Sequence, residues 1–167
     1  LSDNGPRTSR QKDDVYPDRY NAGLRGTKSS IYEGGIRVPF LIRWPNKIRA
    51  GLKLPQIAAH IDVLPTLLEA CGADPIDQDR IIDGQSLLPL VTQSNPPWSD
   101  RTLFFQHNAN HEPLMYSHFA ARSQRYKLVQ PYPNPRDKLL DIGEFDIPAQ
   151  LDNLELYDIE KDPSEID

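Results

Sequence analysis

The sequence predicts an α/β body over residues 1–95 followed by a small antiparallel-sheet α+β subdomain over residues 96–167. Three observations carry this expectation. The first part holds one helix with signals at both ends, beside a β-branched and aromatic run of strand length. A proline-rich break, Asn95-Pro96-Pro97, then reads as a linker between subdomains. Behind it come three strand candidates with no clear crossover helix among them, which favours antiparallel pairing.

Taken in order, Leu1-Ser2-Asp3-Asn4-Gly5-Pro6 reads as the end of a strand entering a turn, with no strand in front of it. Residues 3–35 are polar, punctuated by Gly5, Gly23, Gly26, Gly34 and Gly35, and are expected as a functional loop or disorder. Ile36–Trp44 (IRVPFLIRW) is predicted as a strand closed by Pro45-Asn46, with Pro39 placing it at an edge or a bulge. Asp62 is predicted to N-cap a helix running from Val63 to Cys71, with Pro65 tolerated in its first turn and Gly72 at the C′ position. Val63, Leu64, Leu67, Leu68 and Cys71 follow helical spacing and are expected to face a core. Asp83-Gly84 then turns into a short apolar piece, Ser86–Val91. The three later strands are predicted over Thr102–Gln106, Phe119–Val129 and Leu154–Ile159. Asp158–Asp167 stops inside a polar segment, so both ends are expected to be cuts in a longer chain.

Composition narrows the class. With 38% hydrophobic and 26% charged residues over 167 positions, the chain suits a soluble globular domain. No run approaches the ~18–20 apolar residues of a membrane span. The single cysteine, Cys71, excludes an internal disulfide framework and a multi-cysteine zinc site. Residues 1–60 hold eleven Lys/Arg against five Asp/Glu, whereas residues 137–167 hold eleven acids against Lys138 and Lys161. A basic first third suits a small anionic substrate, and it equally describes a solvated surface with an acidic tail.

Several residues could carry chemistry. Asp3-Asn4 offers a carboxylate and an amide oxygen side by side, hard donors that suit Ca²⁺ or Mg²⁺, although Asp-Asn-Gly is also an ordinary turn signal and two donors fall short of the ~6–8 that calcium takes. Lys28, set among glycines, could hold a sulfate or phosphate oxygen or lie solvated in a loop. His107 and His111 share a loop after the first of the late strands, without the carboxylates or cysteines of a zinc set.

The order of several blocks is more specific than any one of them. Ser2-Asp3-Asn4-Gly5-Pro6, Leu24-Arg25-Gly26-x-Lys28 and Tyr32-Glu33-Gly34-Gly35-x-Arg37-Val38-Pro39 resemble the sulfatase (arylsulfatase) family of the alkaline-phosphatase-like superfamily, C-terminal portion. The resemblance continues through Arg43-Trp44-Pro45, His60-Ile61-Asp62-x-Leu64-Pro65-Thr66-Leu67-Leu68 and Asp83-Gly84-x-Ser86-Leu87-Leu88-Pro89-Leu90. It extends to Arg125-Tyr126-Lys127-Leu128-Val129 and Leu156-Tyr157-Asp158-x-x-x-Asp162-Pro163-Ser164-Glu165, and so spans nearly the whole chain.

The resemblance implies sulfate-ester hydrolysis by the complete protein, on aryl or carbohydrate sulfates. It implies that residues 1–95 complete an alkaline-phosphatase-like α/β sulfatase domain. Asp3 and Asn4 match two ligands of a Ca²⁺ whose other ligands lie outside this chain, and Lys28 matches a lysine that binds a sulfate oxygen. Glu33 and Arg37 are assigned a structural ion pair, Asp62 an N-cap rather than a ligand, and His107 a contact to substrate. The family's nucleophile is a formylglycine made from Cys or Ser in a Cys/Ser-x-Pro/Ala-x-Arg motif. Cys71 is followed by Gly-Ala-Asp-Pro and Ser94 has Trp98 where Arg is needed, so no catalytic nucleophile is expected in this chain, and Cys71 is expected as a buried, inert thiol.

Two competing activities remain open: a phosphodiesterase or phosphonate hydrolase relative, and a non-catalytic relative binding sulfated glycans. Asn4, where phosphate-ester branches commonly place a histidine, favours the sulfatase side. The expected partners are a sulfate-ester small molecule or sulfated carbohydrate, with no nucleic acid and no membrane. A periplasmic, extracellular or lysosomal location is implied by the family alone. The isolated 167 residues are expected to be poorly stable and inactive, because the Val63–Cys71 helix lacks much of the sheet it should pack on.

Overall fold

The structure, a computed structural model, describes residues 1–7, 20–74, 79–94, 96–107, 118–131 and 153–167. The chain forms two compact units, residues 1–40 with 102–167 and residues 41–101. The boundary expected at 95/96 is drawn from composition and stands as an expectation, while packing groups residues 41–101 together.

The first unit is built on an antiparallel sheet of four strands in sequence order: β1 Leu103–Gln106, β2 Phe119–Arg122, β3 Tyr126–Gln130 and β4 Glu155–Asp158. Phe105 pairs with Ala120, Ala120 with Val129, and Lys127 with Tyr157, so these residues share one face. Ala120, Val129 and Tyr157 on that face pack with Ile31 and Ile159 into the core, flanked by Tyr32 and Phe105. The opposite face leaves Phe104 and Leu156 exposed.

The single strand expected over Phe119–Val129 is instead a hairpin. Its turn is made by polar residues without a glycine or proline to announce it. Ser123 N–H donates to the Tyr126 carbonyl at 2.9 Å, and the Tyr126 N–H returns to Ser123 Oγ at 3.0 Å. The Arg122 guanidinium folds over the turn and donates to the Gln124 carbonyl at 2.8 Å and to that of Ser123. Side chains thus supply what a turn dipeptide usually does.

A one-turn helix, α1 Glu33–Ile36, completes this unit, with Glu33, Gly34 and Gly35 buried. The expected strand Ile36–Trp44 does not form. Ile36 ends α1, and residues 37–44 form no strand and meet no ladder partner among the described residues. Pro39 has no N–H to give, and Leu41 is 82% exposed, so the β-branched composition finds no sheet to enter.

In the second unit a 3₁₀ turn, His60–Asp62, leads into α2 Val63–Cys71 and then a short α3, Leu88–Thr92. The ends of α2 match the sequence. Gly72 adopts φ 61°, and its N–H and that of Ala73 reach the carbonyls of Glu69 and Leu68, closing the helix with a Schellman motif. Its apolar stripe is not buried as expected: Leu64 and Leu67 are exposed, as is Cys71, and the buried residue is Thr66. Thr66 Oγ1 donates to the Asp62 carbonyl at 2.5 Å and accepts the Leu87 N–H at 2.8 Å, tying α2 to the approach of α3.

Candidate metal and anion half-site

The Asp3-Asn4 turn is hung on α1 through main-chain bonds. Gly5 N–H donates to the Gly35 carbonyl at 2.8 Å, Gly34 N–H to the Arg25 carbonyl at 2.7 Å, and Lys28 N–H to the Pro6 carbonyl at 2.9 Å. Backbone passes so close to backbone that side chains are excluded. A Cβ at Gly5 would lie 2.0 Å from the Gly34 carbonyl oxygen, and one at Gly34 would lie 2.2 Å from that of Gly26. The glycines that looked like loop punctuation are here a contact requirement.

The turn opens into a cleft of about 520 Å³ whose lining includes Asp3, Asn4, Arg7, Tyr20, Lys28 and Arg37. Asn4 Nδ2 donates to the Gly5 carbonyl at 2.9 Å, while its Oδ1 makes no hydrogen bond among the described residues. Among the described residues the Asp3 carboxylate makes no hydrogen bond or ion pair, so its oxygens are also available. The pair fits a hard cation as part of a donor set. It is not a whole site: among the described residues no three His, Cys, Asp or Glu side chains gather to hold a metal. Lys28 and Arg37 bring positive charge to the same cleft, which suits an anion beside the Asp3-Asn4 turn. Asp3, Asn4 and Lys28, the three residues singled out in the sequence, thus line one cleft.

Beneath α1 lies an ionic cluster. Glu33 Oε1 sits 3.1 Å from Lys127 Nζ and 3.5 Å from Arg122 Nε, and its Oε2 is 3.8 Å from Arg37, the ion pair expected from the sequence. Lys127 Nζ is also 2.7 Å from Glu165 Oε1, while Glu165 Oε2 accepts the Glu33 N–H at 2.6 Å. Burial pushes the Glu165 carboxyl above its usual range, against the opposing pull of Lys127 and the Glu33 N–H. Sequence reasoning missed Lys127 and Glu165. The available signal was a lysine at a core-facing strand position, next to Val129 in the alternation, since such a charge requires a buried partner.

A second polar knot joins Arg25 to the sheet. Its guanidinium donates to Tyr157 Oη at 2.7 Å and to the Glu165 carbonyl at 3.0 Å, and lies 3.9 Å above the Tyr32 ring. Tyr32 and Tyr157 both donate to Glu155 Oε2 at 2.7 Å. Burial first, and then the Glu155 carboxylate, push the Tyr32 hydroxyl well above its usual range.

The remaining candidates fall elsewhere. His107, at the end of β1, is not in the lining of the cleft. It stacks edge-on to His118 with ring centroids 5.3 Å apart, and burial together with His107 lowers the His118 pKa. His111 lies outside the described residues. Asp62 occupies the N-cap position of α2, but its side chain makes no capping bond to that helix. It accepts the Ala59 and Gln85 N–H groups at 2.7 and 2.8 Å and a two-pronged approach from Arg101, with Oδ1 to Nη1 at 2.8 Å. Burial would raise its pKa; the Arg101 and backbone bonds outweigh that and lower it. Cys71, expected buried, is exposed because the stripe it shares is uncovered.

Residues 27–167 match the family described as N-sulphoglucosamine sulphohydrolase, C-terminal. Human steryl-sulfatase is 40% identical over 89 residues, which are 53% of this chain and 15% of that protein. An N-acetylgalactosamine-6-O-sulfatase from Bacteroides thetaiotaomicron is 30% identical over 172 aligned positions, covering 98% of this chain and 30% of its own length. A solved structure described as a complex with its substrate D-glucosamine-2-N,6-O-disulfate aligns with 81% of this chain and 24% of its own at 25% identity and a TM-score of 0.49. The chain thus spans well under half of the proteins it matches.

Proposed function

The chain belongs to the N-sulphoglucosamine sulphohydrolase C-terminal family of sulfatases, and on that premise we propose that the whole protein hydrolyses sulfate esters of carbohydrates, this chain contributing half of a Ca²⁺ site and one sulfate-binding cation. The observation that carries the proposal is the cleft that joins Asp3, Asn4 and Lys28 on a backbone-locked turn. Carbohydrate is preferred over aryl sulfate because the relative aligned with 98% of this chain is named for a 6-O-sulfated sugar.

In this proposal Asp3 and Asn4 orient the cation through one carboxylate oxygen and one amide oxygen. Lys28 places its ammonium on a sulfate oxygen, where negative charge grows as the ester bond breaks. Bound Ca²⁺ and a formylglycine from outside this chain would supply electrophilic stabilisation and the nucleophile. Arg37 shares its charge with Glu33 at 3.8 Å, whereas Lys28 makes no ion pair among the described residues and is the freer of the two cations for the anion. His107 is proposed to reach the leaving-group sugar.

The test is turnover of matched sugar sulfate, aryl sulfate and aryl phosphate esters by the full-length protein, with and without chelator. Sulfate esters are expected to be hydrolysed in a calcium-dependent way. Preference for the phosphate ester, or full activity in Asp3→Ala with metal still bound, would sink the assignment.

A further inference from the structure

Charge is buried under the half-site in an amount that stability alone does not call for. Lys127 and Glu165 are each 0% exposed and Glu33 is 3% exposed, within the ionic cluster described above. Taking such groups out of water is costly, and well-packed apolar residues of similar volume often serve stability as well or better. What apolar residues could not do is fix the orientation of α1. Here the Glu33 N–H ends on Glu165 Oε2 at 2.6 Å, and Lys127 Nζ bridges Glu33 and Glu165 at 3.1 and 2.7 Å. The same residue, Glu165, receives the Arg25 guanidinium on its carbonyl at 3.0 Å, and the Arg25 carbonyl in turn receives Gly34 N–H. Two of the three main-chain links around the Asp3-Asn4 turn, Gly5 to Gly35 and Gly34 to Arg25, therefore lead to Glu165.

Glu165 carries an independent mark of constraint. Its φ is 56°, in the left-handed region that a non-glycine residue seldom adopts unless its surroundings over-determine it. Its side chain and its carbonyl are both engaged in holding the site's scaffold, which is the sort of arrangement that pins such a backbone.

We infer that Glu33, Lys127 and Glu165 form a positioning triad that sets where Asp3, Asn4 and Lys28 stand, and so governs metal affinity and turnover as well as stability. The inference rests on the sulfatase reading above. The triad touches neither substrate nor cation; it acts through Gly35, whose carbonyl receives the Gly5 N–H, and through Arg25.

The experiment uses the full-length protein, with Glu165→Gln and Lys127→Met as variants and Lys127→Arg as the conservative one. Calcium affinity by calorimetry, kcat and KM on a sulfate ester, and the melting temperature are measured on each. Glu165→Gln keeps the volume of the side chain and an acceptor for the Glu33 N–H. It is expected to melt cooperatively while calcium affinity and kcat fall about 10–100-fold, the range seen for outer partners of metal ligands, with KM changing less. Lys127→Arg is expected to recover part of what Lys127→Met loses. In the wild type, calcium is expected to slow amide hydrogen exchange at Glu33, Gly34 and Gly35, because coupling between two sites is reciprocal.

Folded variants with wild-type calcium affinity and kcat, changed only in melting temperature, would overturn the triad's positioning role. So would unchanged exchange at Glu33–Gly35 on adding calcium, a result that needs no variant to fold. A wild type that neither binds calcium nor cleaves a sulfate ester would instead overturn the functional reading, and this inference with it.

Discussion

Adding one methyl group to Gly5 tests how tightly the half-site is built. The new Cβ would start 2.0 Å from the Gly34 carbonyl oxygen and 2.9 Å from Gly35 Cα, against the 3.4 Å or more of ordinary contact. Both neighbours are backbone, so no side chain can swing away. Opening the gap by more than 1 Å stretches the Gly5 N–H bond to the Gly35 carbonyl from 2.8 Å to near 4 Å, which breaks it. The lost bond costs about 1 kcal/mol and the forced repacking about 1–3 kcal/mol more. Asp3 and Asn4, the next residues along, move with the turn, and a misplacement of ~1 Å commonly costs about 100-fold in rate. Gly5→Ala in the full-length protein should therefore lower kcat on a sulfate ester by about that factor and weaken calcium binding, with a melting temperature several degrees lower. A variant within threefold of wild-type kcat would refute the close-packed turn as the source of the site's geometry.

Three further outcomes follow from other contacts. Lys28→Ala should reduce kcat/KM on sulfate esters by about 100-fold, the scale for losing one transition-state charge partner, and Lys28→Arg should recover part of it; equal activity in the alanine variant would remove Lys28 from the anion site. Asp62→Asn should destabilise by about 3–5 kcal/mol in urea unfolding, because the Arg101 guanidinium then loses its buried charge partner. Since the folded Asp62 pKa is depressed, its contribution is complete above the unfolded value near 3.9 and is lost as pH falls through the lower folded value, so wild type and Asp62→Asn should converge in stability only in strong acid. Tyr157→Phe leaves Arg25 and Glu155 each short of one partner and should cost about 1 kcal/mol, read as a shift in the urea midpoint without a change in slope.

Legibility in the sequence followed the range of the interactions. The ends of α2 were readable because Pro65 and Gly72 act within one or two turns of themselves, and strands β1 and β4 because their apolar composition is local. Asp3, Asn4 and Lys28 were singled out by the order of motif blocks, and all three line one cleft. The hairpin turn at Ser123–Arg125 was hidden because its closure is made by Arg122 and Ser123 side chains rather than by a turn dipeptide. Asp62 was placed correctly and its partners were not, since Arg101 and Gln85 lie far along the chain. The strand expected at Ile36–Trp44 failed for the opposite reason: composition gave it a propensity, and among the described residues no ladder partner meets it.

The ion pairs beneath α1 also fix a timetable. Glu33 meets Lys127 across 94 positions and Glu165 across 132, so the pieces that steady the Asp3 turn are made long after the turn itself. Contacts of such span pay loop closure before they return anything, which slows their formation. During synthesis the turn stays unbraced until residue 165, 162 positions after Asp3, clears the ribosome, about eight to thirty-two seconds later at about 5–20 residues per second. The brace of the Asp3 turn is therefore complete only once Glu165 has been made and has met Lys127 and the Glu33 N–H.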